Sequence, residues 1–205
     1  MFSPIILIGG FVEIVELFES CKREIVGIID PNLFESYLNI PVLGNDKDAE
    51  KIISQNKNCE FLIGLDDPNS RSRLFAYYST FNVRFATVIS PLARLSKYVS
   101  IGNGSIIQHD VNVSAFSKIG DFAKLNYYSN ITHNVELGDF VTVGPNAVLL
   151  GYVKIGQRSY IGSNATILPR REIGQSVIIG AGAVVTKDIS DEQIWVGNPA
   201  TKLVR

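Results

Sequence analysis

The chain has 205 residues, about one and a half average domains, and its 19 Lys and Arg against 20 Asp and Glu leave a formal charge of −1. That balance excludes the broad basic field of a nucleic-acid or anionic-membrane module, and 46% apolar against 19% charged residues excludes a disordered polymer. Two cysteines, Cys21 and Cys59, and two histidines, His109 and His133, cannot assemble a disulfide scaffold or a Cys/His zinc site, so no metal is expected.

The first apolar run, Ile5-Ile6-Leu7-Ile8, lacks a basic flank and is far too short to span a bilayer, so no membrane insertion is expected. It reads as a buried strand, followed by a Gly9-Gly10 turn. Val12 to Ser20 reads as a helix with Ile14, Val15, Leu17 and Phe18 on its apolar side. Ile25–Ile29 forms a second strand closing on Asp30-Pro31-Asn32. A third, Phe61–Ile63, runs into Gly64-Leu65-Asp66-Asp67-Pro68-Asn69, and a helix follows from about Ser70 to Tyr78.

This alternation predicts a small Rossmann-like parallel sheet over residues 1–88, with a ligand at the carboxyl ends of its strands, near Gly9, Gly10, Asp30 and Asn69. The full G-x-G-x-x-G is absent and bulky Phe11 follows the glycines. The turn therefore suits a plain strand-to-helix connection as well as it suits approach to a phosphate. Asp30 stands twenty residues past Gly10, where a dinucleotide fold carries its ribose-binding acid, yet fewer than 90 residues favour a mononucleotide-sized ligand.

From Ile101 the pattern changes. An aliphatic residue recurs at every sixth position through Ile107, Val113 and onward to Val185, fifteen times without a slip. Four residues after each, with Arg171 the exception, the side chain is small or β-branched, as at Ser105, Val111 and Ser117. Glycine follows the aliphatic residue at 102, 120, 138, 156 and 174, and again at 144, 162 and 180, always 18 apart. A period of six fits neither helix nor simple strand. Three sixes make eighteen, which predicts a three-sided parallel β-helix within residues 89–205, its coils stacked about 4.8 Å apart. Roughly five coils fit between Ile101 and Ser190. Gly and Asn, including Asn103, Asn112, Asn130, Asn146 and Asn164, suit corners that need permissive dihedrals. Arg171 occupies an inward slot, where a lone guanidinium is costly, so a local corner distortion should turn it outward.

The hexapeptide run is accompanied by the tail Gly180-Ala181-Gly182-Ala183-Val184-Val185-Thr186-Lys187-Asp188 and by Trp195-Val196-Gly197-Asn198-Pro199-Ala200. With Val26-Gly27-Ile28-Ile29-Asp30 and Ile40-Pro41-Val42-Leu43-Gly44, it resembles the bacterial sugar O-acyltransferase family. That family includes sialic acid O-acetyltransferases and N-acetyltransferases of nucleotide-linked 4-amino-4,6-dideoxy sugars. The resemblance implies a left-handed β-helix, a cytoplasmic homotrimer, acetyl-CoA in the groove between adjacent β-helices, and an amino-terminal domain cradling a nucleotide sugar.

It also implies roles for residues. Ile131-Thr132-His133 matches an I-x-H motif whose histidine is the base. Gly151, eighteen residues on, should lie one coil away on the same face. There its N–H could meet the thioester oxygen, although an ordinary corner glycine reads the same way. Asn126 matches a polar residue near the acceptor, though a corner amide reads the same way. His109 shares the hexapeptide slot of His133 but falls on another face, as a structural or surface residue. Asn134 stands where relatives carry an acid and Thr142 where many carry a second histidine; an amide orients imidazole without raising its basicity. Ser163 and Ala181 match backbone contacts to the pantetheine arm. Lys187 reads either as a phosphate partner for CoA or as a solvated lysine. The leading expectation is an acetyl-CoA-dependent N-acetyltransferase of a nucleotide-linked amino sugar for bacterial surface glycans. A sugar O-acetyltransferase and a non-catalytic trimeric nucleotide-sugar binder are the alternatives.

Overall fold

Two sheet systems follow one another in the computed structural model, which describes residues 3–204. The first contains β1 (Ile5–Ile8), α1 (Val12–Ser20), β2 (Ile25–Ile29), β3 (Ser36–Tyr37), β4 (Ile40–Gly44), α2 (Ala49–Gln55), β5 (Glu60–Ile63) and α3 (Pro68–Ser79). Strand order is β3-β4-β2-β1-β5, and all neighbours are parallel except the β3/β4 hairpin. The chain thus winds one way from β1 to β2 and the other way to β5. The crevice at the carboxyl ends lies where that direction reverses, beside Gly9 and Gly10.

The sequence reading lacks β3, β4 and α2 as elements. Pro41 and Gly44 dilute the strand signal of β4, and α2 has only seven residues. Helix α3 starts two residues earlier than expected, because Asp67 accepts the Ser70 N–H at 2.7 Å and Pro68 suits the first helical turn.

From Val88 the chain coils in three faces. The first carries strands at 88–89, 106–107, 124–125, 142–143, 160–161 and 178–179, then Ile194–Val196, and ends on the antiparallel Thr201–Lys202. The second carries six, from Arg94–Leu95 to Val184–Val185, and the third five, from Ser100–Ile101 to Glu172–Ile173. Register is eighteen residues up to the last coil, where it shortens to sixteen: Asn112 pairs with Asn130, Lys118 with Glu136 and Lys124 with Thr142, but Ile178 with Ile194. The coils begin before Ile101, since Ile89 and Leu95 already keep the period. Inside, the aliphatic column from Ile107 to Val185 and the smaller one from Val111 to Ala183 form one buried core, with Trp195 at its end.

The corners differ from expectation in an instructive way. Left-handed backbone recurs at every sixth residue from Gly104 to Gly182, and its occupants include Phe116, Tyr128, Tyr152 and Arg170 as well as Asn146 and Asn164. Asn103, Asn112 and Asn130 are not among them; Asn112 instead donates to Asn130 Oδ1 at 2.9 Å along the second face. The glycines every eighteen residues answer a different need. A Cβ on Gly120 would lie 2.6 Å from the Gly138 carbonyl carbon, and one on Gly138 2.7 Å from Gln157 N. Ladder spacing leaves no space for it. Arg171 does turn outward, half-exposed, and pairs with Asp188 at 3.3 Å.

The two sheet systems are joined by buried cations. Arg71 of α3 is 1% exposed and donates to the carbonyls of Leu65, Asp66, Phe122, Phe140 and Val141 at 2.8–3.3 Å. Burial lowers its pKa to about 10, partly offset by Asp66 and Asp67, so it stays charged at neutral pH. Beside it, Phe75 of α3 packs on the stacked rings of Phe122 and Phe140. Lys124 is fully buried on the first face. Its Nζ lies 2.8 Å from Asp66 Oδ1 and 3.2 Å from the Gly64 carbonyl. Arg71→Met leaves those carbonyls without a donor, so chemical denaturation should register a loss of roughly 2–4 kcal/mol. Arg73→Met, on the same helix, should change little.

Candidate active site

His133 sits on the corner between the second and third faces, exposed, just past the Asn130–Ile131 strand. Gly151 is its vertical neighbour. A Cβ there would fall 2.7 Å from His133 Cε1 and 2.8 Å from Nε2, so only glycine lets the imidazole lie over the next coil. Among the described residues the Gly151 N–H has no hydrogen-bond acceptor, while its carbonyl accepts from Arg170 N at 2.9 Å. The corner therefore offers one free donor directly above one imidazole.

Local geometry fixes the ring. Asn134 takes the left-handed corner conformation, φ 58°, and its Oδ1 lies 3.1 Å from His133 Nδ1. An amide oxygen only accepts, so the hydrogen is assigned to Nδ1 and the lone pair to Nε2, on the Gly151 side. Tyr152 closes the other flank, edge-on at 5.2 Å, and carries the Arg170 guanidinium over its ring at 4.6 Å.

The other expected residues lie elsewhere. Ser163 and Ala181 do stack, since Gly182 N donates to Ser163 O at 2.8 Å and a Cβ on Gly162 would touch Ala181 N at 2.6 Å. They occupy the corner between the first and second faces, not the corner of His133. The whole second face separates the two groups. Lys187 is exposed near the end of the coil, its Nζ 5.1 Å from the centre of the Trp195 ring.

At the amino-terminal sheet, Gly9, φ 88°, and Gly10 close β1. The Gly10 N–H donates to Asp30 Oδ2 at 2.9 Å and the Asn32 N–H to Oδ1 at 2.8 Å. Asp30 thus clamps the two loops that line the crevice. Asn69 is exposed three residues beyond Asp66. It lines a cavity of about 360 Å³ with Arg158, Tyr160 and Ser176, away from Gly10 and Asp30. Asn126 and Thr142 belong to the junction: the Asn126 amide donates to Asp66 Oδ1 at 3.3 Å and to Val143 O at 3.2 Å, and the Thr142 hydroxyl donates to Asp66 O at 2.7 Å. A buried threonine bonded in this way cannot take over the work of a second imidazole.

Sequence reasoning missed Asp66, Arg71 and Lys124, which hold the crevice loops against the coil. Lys124 occupies the same hexapeptide slot as the exposed Lys118 and Lys154, so its sequence environment carries no sign of burial. Only its phase of eighteen, which assigns it to the first face, could have marked it.

Comparison with known proteins agrees with the coil and with the whole-chain architecture. Residues 152–187 match the bacterial transferase hexapeptide (six repeats). No curated protein sequence matches the chain. Among solved structures, a histidine-to-alanine mutant of GDP-perosamine N-acetyltransferase from Caulobacter crescentus, complexed with CoA and GDP-perosamine, superposes with a TM-score of 0.94 at 26% identity. The match covers 100% of this chain and 99% of that one. The acetyltransferase domain of PglB from Neisseria gonorrhoeae, with acetyl coenzyme A, gives 0.92 at 26% identity, over 98% and 99% of the two chains. WeeI from Acinetobacter baumannii gives 0.85 at 29% identity, over 98% and 100%. In repeat and in whole-chain architecture, this chain is similar to the bacterial sugar N-acetyltransferases built on hexapeptide coils.

Proposed function

We propose that the chain transfers acetyl from acetyl-CoA to the amine of a nucleotide-linked 4-amino-4,6-dideoxy sugar, in the making of bacterial surface glycans. The observation that carries this is the vertical pair of His133 and Gly151, a lone pair on Nε2 beneath an unpaired N–H. The acceptor amine attacks the thioester carbonyl carbon and His133 Nε2 takes the proton it sheds. As the carbonyl oxygen gains charge, the Gly151 N–H donates to it. The C–S bond then breaks and CoA leaves as thiolate, to be protonated. Asn134 holds the ring orientation but cannot stabilise an imidazolium as a carboxylate would, which suits an amine acceptor better than an alcohol.

The site is composite in this reading. The amino-terminal sheet covers the first face, whereas His133 projects from the corner opposite it. The third face bears a ladder of Lys118, Glu136, Lys154 and Glu172. The second presents Asn112, Asn130, Val148, Thr166 and Val184, charged only at Arg94, and is flanked by exposed Leu92, Tyr98, Phe116, Tyr128 and Tyr152. A second and third copy covering this face would form a homotrimer of left-handed coils. The His133 corner of one protomer would then meet the Ser163–Ala181 corner of the next, with acetyl-CoA between them. Residues 1–88 form the nucleotide-sugar unit, with Gly9, Gly10 and Asp30 at its crevice, Asn69 on the separate cavity beside Arg158 and Asn126 at the junction with the coil; residues 89–205 form the acyl-transfer unit. Lys187 is placed for a CoA phosphate. Unpaired Cys21 and Cys59 suit the reducing cytoplasm.

Free thiol should appear when the protein meets acetyl-CoA and GDP-perosamine, and His133→Ala should lower that rate by about 10²–10⁴. Thiol release that His133→Ala leaves unaffected would falsify the assignment. Gly151→Ala should keep the fold but displace the imidazole, at a cost of about 10² in kcat. Co-expressing His133→Ala with a chain blocked at the crevice by Gly10→Trp should restore activity in about a quarter of all sites after random assembly, about one site in each mixed trimer. A site within one chain would restore none.

A further inference from the structure

The second histidine of the chain lies on the corner between the first and second faces, and the transfer step above does not use it. His109 Nδ1 makes a short hydrogen bond with Ser90 Oγ, whose residue is 2% exposed. Ser90 Oγ also accepts the Leu92 N–H at 3.0 Å. The hydroxyl keeps a second lone pair as well as its hydrogen, so the contact holds the ring by Nδ1 in either tautomer and leaves Nε2 as a polar atom able to donate or accept. One coil above His109, the Tyr127 ring meets it edge-on at 5.6 Å. Burial and the carboxylates of Glu16 and Glu13 on α1 push the Tyr127 phenol up, so it remains a donor at neutral pH.

Height along the coil relates this pair to the transfer site. Tyr127 precedes His133 by 6 residues, one third of an 18-residue coil, and so lies only about 1.6 Å lower along the axis. His109 precedes it by 24 residues and lies about 6.4 Å lower. In a trimer whose axis follows the coil, these heights carry over to the neighbouring protomer. Tyr127 is then level with the neighbour's His133, and His109 lies below it by about the width of a pyranose ring, on the side of the amino-terminal sheet.

We propose that His109 and Tyr127 bind the sugar ring of the acceptor, hydrogen-bonding to its oxygens as it spans from the crevice to the neighbouring protomer's His133, with Ser90 as the positioning residue for His109. This rests on the composite-site reading. It makes the pair a determinant of sugar recognition, distinct from the grip on the nucleotide.

The test titrates the full-length protein with GDP-perosamine and, separately, with GDP, by calorimetry. Tyr127→Phe keeps the ring contact and His109→Gln keeps a polar group, while Ser90→Ala releases the imidazole from its Nδ1 partner. Each should weaken GDP-perosamine about tenfold and leave GDP within twofold. In acetyl transfer, KM for the sugar nucleotide should rise about tenfold and KM for acetyl-CoA should hold. Equal losses for GDP and GDP-perosamine, or no loss for either, overturn the inference while wild-type turnover keeps the acetyltransferase reading intact. If the wild type binds no GDP- or UDP-linked 4-amino sugar, both readings fall.

Discussion

The hydrogen bond from each strand N–H to the carbonyl seventeen residues onward organises this protein. Asn130 N reaches Ala147 O at 2.9 Å, Thr132 N reaches Leu149 O at 3.0 Å, and Lys154 N reaches Arg171 O at 3.0 Å. Such a ladder turns sequence distance into vertical distance, at about 4.8 Å for every eighteen residues. Because the backbone carries the ladder, outward side chains are free to vary, and the three faces do three jobs. The interior is not free. It accepts aliphatic and small residues alone, and where coils come closest it accepts only glycine.

The same ladder explains how one hexapeptide slot gives opposite results. Lys118, Lys124 and Lys154 each precede an inward aliphatic residue. On the third face, Lys118 and Lys154 reach Glu136 and Glu172 with side chains 69% and 56% exposed, pairs that contribute little in water. On the first face, Lys124 lies under the amino-terminal sheet with its side chain 0% exposed, held by Asp66 and the Gly64 carbonyl. There it fixes the loops that follow β5 and so the shape of the crevice beside Gly9. Arg71 performs the reciprocal task from α3, reaching the coil corners at Phe122 and Phe140. Charged groups buried at such a junction, each fully hydrogen-bonded, specify one docking geometry better than an apolar seam would.

A convex corner is a poor place for group transfer by a single chain, since nothing excludes water from it. His133 stands on such a corner, and the crevice of its own chain lies across the prism. The proposed trimer would resolve this by setting a second surface against the first. The second face, charged only at Arg94, is bounded on one side by His133 and Gly151 and on the other by His109, Tyr127, Ser163 and Ala181. One docking contact would then bring the proposed base, oxyanion donor and both substrates together.

The repeat of six and its multiple of eighteen were enough to derive the three-sided coil, the vertical pairing of His133 with Gly151, the stacking of Ser163 on Ala181 and the outward turn of Arg171. Each follows from a periodicity that the backbone ladder imposes on every residue alike. The alternation of Ile5–Ile8, the following helix and Ile25–Ile29 likewise fixed the parallel sheet, because a buried strand and an amphipathic helix each have a local signature. Side-chain partners were not legible. Asp30 is engaged by Gly10, Asn126 and Thr142 are tied to Asp66, and Asn69 faces a cavity with Arg158, all through contacts between segments far apart in sequence. The repeat determines where each residue stands on the prism; which groups meet across faces and between the two sheet systems depends on docking, and no local pattern encodes that.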